Sequence, residues 1–257
     1  MALVMKFGGT SVADAAAFEN VARIVATQRN ASPVVVVSAM SGVTDSLLAA
    51  TTIASLEGTF RRHEVAAREL LTHAKAEEFV EYVNNAAQRI AQLLESLSTQ
   101  PTRKATQDSI VAFGETLSSA LLAEVLDERG IAAQQVDARR CIITNDDYTC
   151  AAPLMAETFS HSQQELRPFL ETGVVPVLGG FIGATISGST TTLGRGGSDY
   201  TAAIIGAALS ASEIQIWTDV TGVLTADPRI VPEAQTIERL SYSEAAELAY
   251  FGAKVLH

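Results

Sequence analysis

Three stretches of the chain pair glycine with serine and threonine, and two of them carry a lone cation, a composition suited to cradling phosphate. They are Lys6-Phe7-Gly8-Gly9-Thr10-Ser11, Ser38-Ala39-Met40-Ser41-Gly42-Val43-Thr44-Asp45 and Leu193-Gly194-Arg195-Gly196-Gly197-Ser198-Asp199. Glycine leaves backbone N–H groups unshielded, and such groups at the start of a helix bind phosphate oxygens. A single Gly-Gly pair after a strand is more often just a tight turn. Three such loops, with Lys6 and Arg195 embedded in two of them, point instead to anionic ligands. The chain lacks the Gly-x-x-x-x-Gly-Lys-Ser/Thr run of P-loop enzymes, the His-Arg-Asp and Asp-Phe-Gly signatures of protein kinases and the Gly-x-Gly-x-x-Gly dinucleotide fingerprint.

Loops of this kind need strands and helices to hold them. Leu3–Phe7, Val34–Ser38, Val174–Leu178 and Ile214–Thr218 are short apolar runs bounded by Gly, Pro or Ser, which predicts buried strands. Ala132–Val136 and Ile142–Thr144 are weaker candidates. Helices are expected over Ala15–Arg29, Asp108–Glu128, Tyr200–Leu209 and Ser243–Tyr250. Buried strands alternating with helices predict an α/β domain with a mainly parallel central sheet, whose ligands sit at the carboxyl ends of the strands. From about Glu64 to Leu97 the pattern is purely helical, with Phe79, Val83, Ala86, Ile90, Leu93 and Leu97 on one face. That segment is expected to form a helical hairpin packed on the sheet domain.

The 257 residues, 47% of them hydrophobic, suffice for one large core. A formal charge of −11 argues against a nucleic-acid surface. Cys141 and Cys150 are too few for a disulfide framework, and the N-terminus lacks the layout of a signal peptide. The longest strongly apolar stretch, around Ala202 to Leu209, is far below the roughly 18 residues that span a bilayer. A cytoplasmic protein without a membrane partner is expected. His63, His73, His161 and His257 are dispersed and offer no metal-ligand spacing.

The loops also carry a resemblance. Lys6-Phe7-Gly8-Gly9-Thr10-Ser11-Val12 resembles the opening signature of aspartokinases, within the amino acid kinase superfamily. Phe113-Gly114-Glu115 resembles the family's aspartate-binding helix, and Leu193 to Tyr200 its second signature. Trp217-Thr218-Asp219-Val220 and Thr225-Ala226-Asp227-Pro228-Arg229 resemble its nucleotide-binding strand and loop, and Phe251 to His257 its last phosphate-binding motif. The match runs in order along nearly the whole chain. It implies the amino acid kinase fold, a three-layer αβα sandwich, and transfer of the γ-phosphoryl group of ATP to L-aspartate, with Mg²⁺ bound alongside the nucleotide.

Carried over residue by residue, the resemblance implies that Lys6 and the N–H groups of Gly8 and Gly9 neutralise the β- and γ-phosphates, with Ser38 nearby. Lys254 would be a second cation on ATP, and Val255, Thr218, Asp219 and Arg229 would complete the nucleotide site. Asp199 would fix the lysines and help position magnesium. Arg195 would grip the substrate α-carboxylate and Glu115 its ammonium, with Thr44 and Ser198 adding hydrogen bonds. Glu115 has a hint of its own. Its helical neighbours Val111, Ala112, Ser118, Ser119 and Leu122 are small or apolar, so its carboxylate is expected to line a cleft.

The implied division is an aspartate-binding part over about 1–180 and a nucleotide-binding part over about 181–257, with the C-terminal end truncated before further kinase strands and ACT regulatory domains. A homo-oligomer is compatible with all of this. Leu224 stands where many aspartokinases have tyrosine. Two alternatives stay open: a related kinase acting on glutamate, N-acetylglutamate or UMP, and a non-catalytic nucleotide-binding subunit.

Overall fold

The computed structural model describes residues 2–97, 103–220, 222–227 and 229–252. They fall into two compact units, Met1–Trp217 and Thr218–His257. In the first unit the strands are β1 (Leu3–Phe7), β2 (Pro33–Val37), β3 (Ala133–Val136), β4 (Ile143–Thr144), β5 (Val175–Gly179), β6 (Ile182–Thr185), β7 (Thr190–Thr192) and β8 (Glu213–Trp217). The helices are α1 (Ala15–Gln28), α2 (Val43–Ala49), α3 (Glu57–Leu70), α4 (His73–Leu97), α5 (Arg103–Val111), α6 (Phe113–Glu128), α7 (Met155–Thr172) and α8 (Gly197–Ala208).

The main sheet has the order β3-β5-β2-β1-β8, and all its pairs are parallel. A small mixed sheet, β4-β6-β7, stands beside it. Strand β2 explains the layering. Val34, Val35, Val36 and Val37 are all fully buried, which for side chains of this size stabilises by about 1.5–3 kcal/mol each. Since successive side chains point to opposite faces, both faces need a cover. Val35 and Val37 join a core with Phe18 and Val21 of α1 and Leu117 and Leu121 of α6. Val34 and Val36 join another with Leu166 of α7 and Ala202 and Ile205 of α8. This is the expected αβα sandwich. The hairpin α3–α4 adds to the first face, burying Phe79, Val83, Ala86 and Ile90 as their spacing predicts, with Leu93 and Leu97 partly buried.

The structure departs from the sequence expectation in four places. Strand β8 pairs with β1 alone among the described residues, and Ile214 on it is 40% exposed. The helix α7, which contains Pro168, and the hairpin β6–β7 were not anticipated. The long apolar stretch is also elsewhere: Arg103–Glu128 passes for a membrane span by length and composition. Most of it is buried inside the domain, as α5 and α6 of the core. In the second unit Val223 and Thr225 exchange backbone hydrogen bonds with Gln235 and Ile237. There a capping box between Ser241 and Glu244 starts α9 (Tyr242–Tyr250).

Candidate active site

Register brings the loops together. Phe7 stands opposite Val37, and Val37 opposite Gly179, so the segments beginning at Gly8, Ser38 and Gly180 leave the sheet at one rim. The exits are tied by Ser38 N–H donating to Phe7 O (3.1 Å) and Gly180 N–H to Val37 O (2.8 Å). Gly8 N–H donates to Trp217 O at 3.4 Å. Gly9 opens a short 3-10 turn, Gly9–Val12, and the first N–H of such a turn has no partner within it. Ser41 N–H closes the rim by donating to Gly9 O at 3.1 Å.

The helix α8 starts at this rim. Gly196, at φ 72°, makes the left-handed turn into it, a conformation glycine adopts without a Cβ penalty. Asp199 lies in its first turn, and its Oδ1 stands 2.6 Å from Lys6 Nζ, with the two side chains only 15% and 11% exposed. A first-turn carboxylate suits the positive end of the helix, and the ion pair carries Lys6 across from β1. Ser198, half-buried, packs against Gly180 so closely that a Cβ on residue 180 would lie 2.7 Å from Ser198 Cα.

Helix α6 supplies the other wall. Ser118 Oγ accepts a hydrogen bond from Met40 N–H (3.1 Å), fixing the second loop. Glu115 is 3% exposed, and its Oε2 has no hydrogen-bond partner among the described residues. Burial pushes its carboxyl group up to about 8, and hydrogen bonds from backbone N–H groups, including Ala39, only partly oppose this. A buried carboxylate without a cation is costly, and a ligand ammonium is what would restore its charge. Gly179 must be glycine here, since a Cβ would lie 2.9 Å from Glu115 Cβ.

Arg195 is exposed in the loop between β7 and α8, and none of the described residues pairs with it. Thr44 is half-buried in the first turn of α2. Thr218, Asp219 and Arg229 lie in the second unit. There Thr218 Oγ1 donates to Asp219 Oδ1 at 3.1 Å, and Arg229 grips Asp227 through Nε (3.0 Å) and a terminal nitrogen (2.6 Å). Lys254 and Val255 lie outside the described residues. Sequence reasoning missed Gly179-Gly180, although a Gly-Gly pair after a strand is the same signal that singled out Gly8-Gly9.

The family model described as "Amino acid kinase family" matches residues 1–257. The chain belongs to the amino acid kinase family. Lysine-sensitive aspartokinase 3 of Escherichia coli (strain K12) is 42% identical over 261 residues, covering 99% of this chain and 57% of that protein. The aspartokinase of Chlamydia trachomatis is 39% identical with the same coverage. The crystal structure of E. coli aspartokinase III in complex with aspartate and ADP superposes with a TM-score of 0.92 at 39% identity, covering 100% of this chain and 58% of the other. This amino acid kinase chain therefore spans a little over half the length of these relatives.

Proposed function

We propose that the chain is the catalytic part of an aspartokinase, transferring the γ-phosphoryl group of ATP to the β-carboxylate of L-aspartate. One pairing carries this most: the buried carboxyl group of Glu115 has an Oε2 without a hydrogen-bond partner among the described residues, and the Arg195 guanidinium, in a neighbouring loop, pairs with none of the described residues. An α-amino acid offers one ammonium and one carboxylate, the two complementary charges. Relatives named aspartokinases at 42% and 39% identity, and the close likeness to one holding aspartate and ADP, support the same substrates.

The β-carboxylate is already ionised at pH 7, since its reference pKa is near 4. No general base is required; the work is to bring two anions together. Lys6, held by Asp199, supplies positive charge to the transferring phosphoryl group, with Gly8, Gly9 and Ser38 along the phosphates. Arg195 fixes the substrate α-carboxylate bidentately, Glu115 fixes the ammonium, and Thr44 and Ser198 add hydrogen bonds. The division into an aspartate-binding part over about 1–180 and a nucleotide-binding part over about 181–257 is crossed by Lys6, Gly8, Gly9 and Ser38 on the phosphates and by Arg195 and Ser198 on aspartate; the resemblance assigns Thr218, Asp219, Arg229, Lys254 and Val255 to the nucleotide. Among the described residues no group of three or more His, Cys, Asp or Glu could hold a metal ion. Mg²⁺ would be bound together with the nucleotide, with Asp199 as the nearby carboxylate, and would neutralise phosphate charge. A homo-oligomer in the cytoplasm completes the proposal.

The test is ADP release with ATP and Mg²⁺ and, separately, aspartate, glutamate, N-acetylglutamate and UMP. Release with aspartate alone is expected. Release with UMP or N-acetylglutamate and none with aspartate would transfer the chain to another acceptor within the family.

A further inference from the structure

Asp108 is a carboxylate that the reaction does not use, yet it is 2% exposed on α5, and burial raises its pKa. It survives there by accepting three hydrogen bonds. Its Oδ2 accepts from Thr149 N–H (2.8 Å) and Thr192 N–H (3.0 Å), and its Oδ1 from the Thr192 hydroxyl (2.9 Å). These donors lie 41 and 84 residues further along the chain. Asp108 is therefore a staple between distant segments, and both segments lead to one loop.

Thr192 ends β7, three residues before Arg195. Its carbonyl accepts from Ala151 N–H (2.8 Å), and Leu193 N–H donates to Phe181 O (2.9 Å), so the chain is anchored on both sides up to Gly194. Thr149 sits at φ 77°, where a β-branched residue costs about 1–3 kcal/mol and persists only if its surroundings hold it. Cys150 then packs on Gly194, so that a Cβ there would meet its Sγ at 3.2 Å. Asp108 on α5 and Glu115 in the first turn of α6 stand seven residues apart, and backbone hydrogen bonds from Ala112 N–H to Asp108 O (3.0 Å) and from Thr116 N–H to Ala112 O (3.1 Å) link the two helices.

We propose that Asp108 is a positioning residue: by pinning Thr192 and Thr149 it holds the Arg195 loop at a set distance from Glu115, so the consecutive helices α5 and α6 carry the staple for the group that meets the substrate carboxylate and the group that meets its ammonium. This rests on the substrate roles proposed above for Arg195 and Glu115. Asp108 touches no substrate; it acts through the loop.

The test compares Asp108→Ala, Asp108→Asn and Thr192→Val with the wild-type chain by hydrogen–deuterium exchange and by steady-state kinetics. In Asp108→Ala, amide exchange is expected to speed up over residues 145–153 and 189–197 while β1 and β2 stay protected. The aspartate KM should rise about tenfold or more, the scale of an Å-level misplacement, with the ATP KM within about twofold. Asp108→Asn keeps one oxygen for the two N–H groups and an amide facing the Thr192 hydroxyl, and it should recover the aspartate KM to within about threefold. Unchanged exchange over 189–197 in Asp108→Ala would overturn the proposal, as would an equal rise in both KM values. If Asp108→Ala does not fold, Thr192→Val, which loses only the hydroxyl, is held to the same two criteria at smaller amplitude. If the wild type turns over a different amino acid, the exchange pattern still decides for or against Asp108, and only the aspartate assignment falls.

Discussion

Lys6 on β1 and Asp199 in the first turn of α8 are joined by a 2.6 Å ion pair whose two side chains are mostly buried. Truncating one partner removes a charge from the reacting region and leaves the other uncompensated. Lys6→Ala is expected to lower kcat by roughly 10²–10³-fold, the scale of losing one preorganised electrostatic group. The aspartate KM should stay within a few-fold. A kcat within a few-fold of wild type would remove Lys6 from the catalytic set.

The Arg195 guanidinium is exposed and pairs with none of the described residues. Arg195→Ala should raise the aspartate KM by about 10- to 100-fold, since hydrogen bonds to charged groups contribute about 1.5–3 kcal/mol. ATP affinity, measured by equilibrium binding, should be nearly unchanged. Loss of ATP affinity with a steady aspartate KM would move Arg195 to the nucleotide side.

Glu115 makes pH a probe of the site. Its folded-state pKa is raised from 4.5 to about 8, so between those values the folded protein binds more protons than the unfolded one. Stability contributed by the protonated carboxyl is then present below about pH 4.5 and lost as pH rises through about 8. Without ligand, denaturant midpoints should fall across this window, and Glu115→Gln should flatten the profile. Aspartate binding at pH 7 should release close to one proton as Glu115 ionises against the ammonium. Calorimetry in buffers of different ionisation enthalpy reads this directly, and an observed heat independent of buffer would contradict the pairing.

Close packing sets a steric prediction. A methyl group at residue 180 would lie 2.7 Å from both Ser198 Cα and Cβ, which only a shift of the α8 start can relieve. Gly180→Ala should cost about 1–3 kcal/mol in stability and raise the aspartate KM. A fully active, equally stable variant would mean that the start of α8 can move freely.

Much of this was legible because it depends on local pattern. The runs Leu3–Phe7 and Val34–Ser38 became β1 (Leu3–Phe7) and β2 (Pro33–Val37) almost residue for residue, since a short, mostly apolar run suits a strand covered on both faces. The small and apolar helical neighbours of Glu115 pointed to a cleft rather than bulk water, and the residue is 3% exposed. What the sequence hid is long-range or polar. Strands β6 and β7 consist largely of Gly, Ala and Thr, and Thr191 and Thr192 are buried polar residues that hydropathy assigns to the surface. Helix α7 buries only Thr158, Ser162 and Leu166 in full, too weak a stripe to stand out, and Pro168 interrupts it. Asp108 looked like an ordinary helix residue because its partners lie 41 and 84 residues away.

The central claim is that a carboxylate attacks phosphorus, and hydroxylamine trapping tests it most directly. The chain is incubated with ATP, Mg²⁺ and L-aspartate, hydroxylamine is added, and the product is identified by mass spectrometry alongside the ADP formed. The account predicts aspartate β-hydroxamate in amounts matching ADP, and neither product from Lys6→Ala above about 1% of that level. ADP formation with aspartate but no hydroxamate, or hydroxamate from glutamate alone, would contradict it.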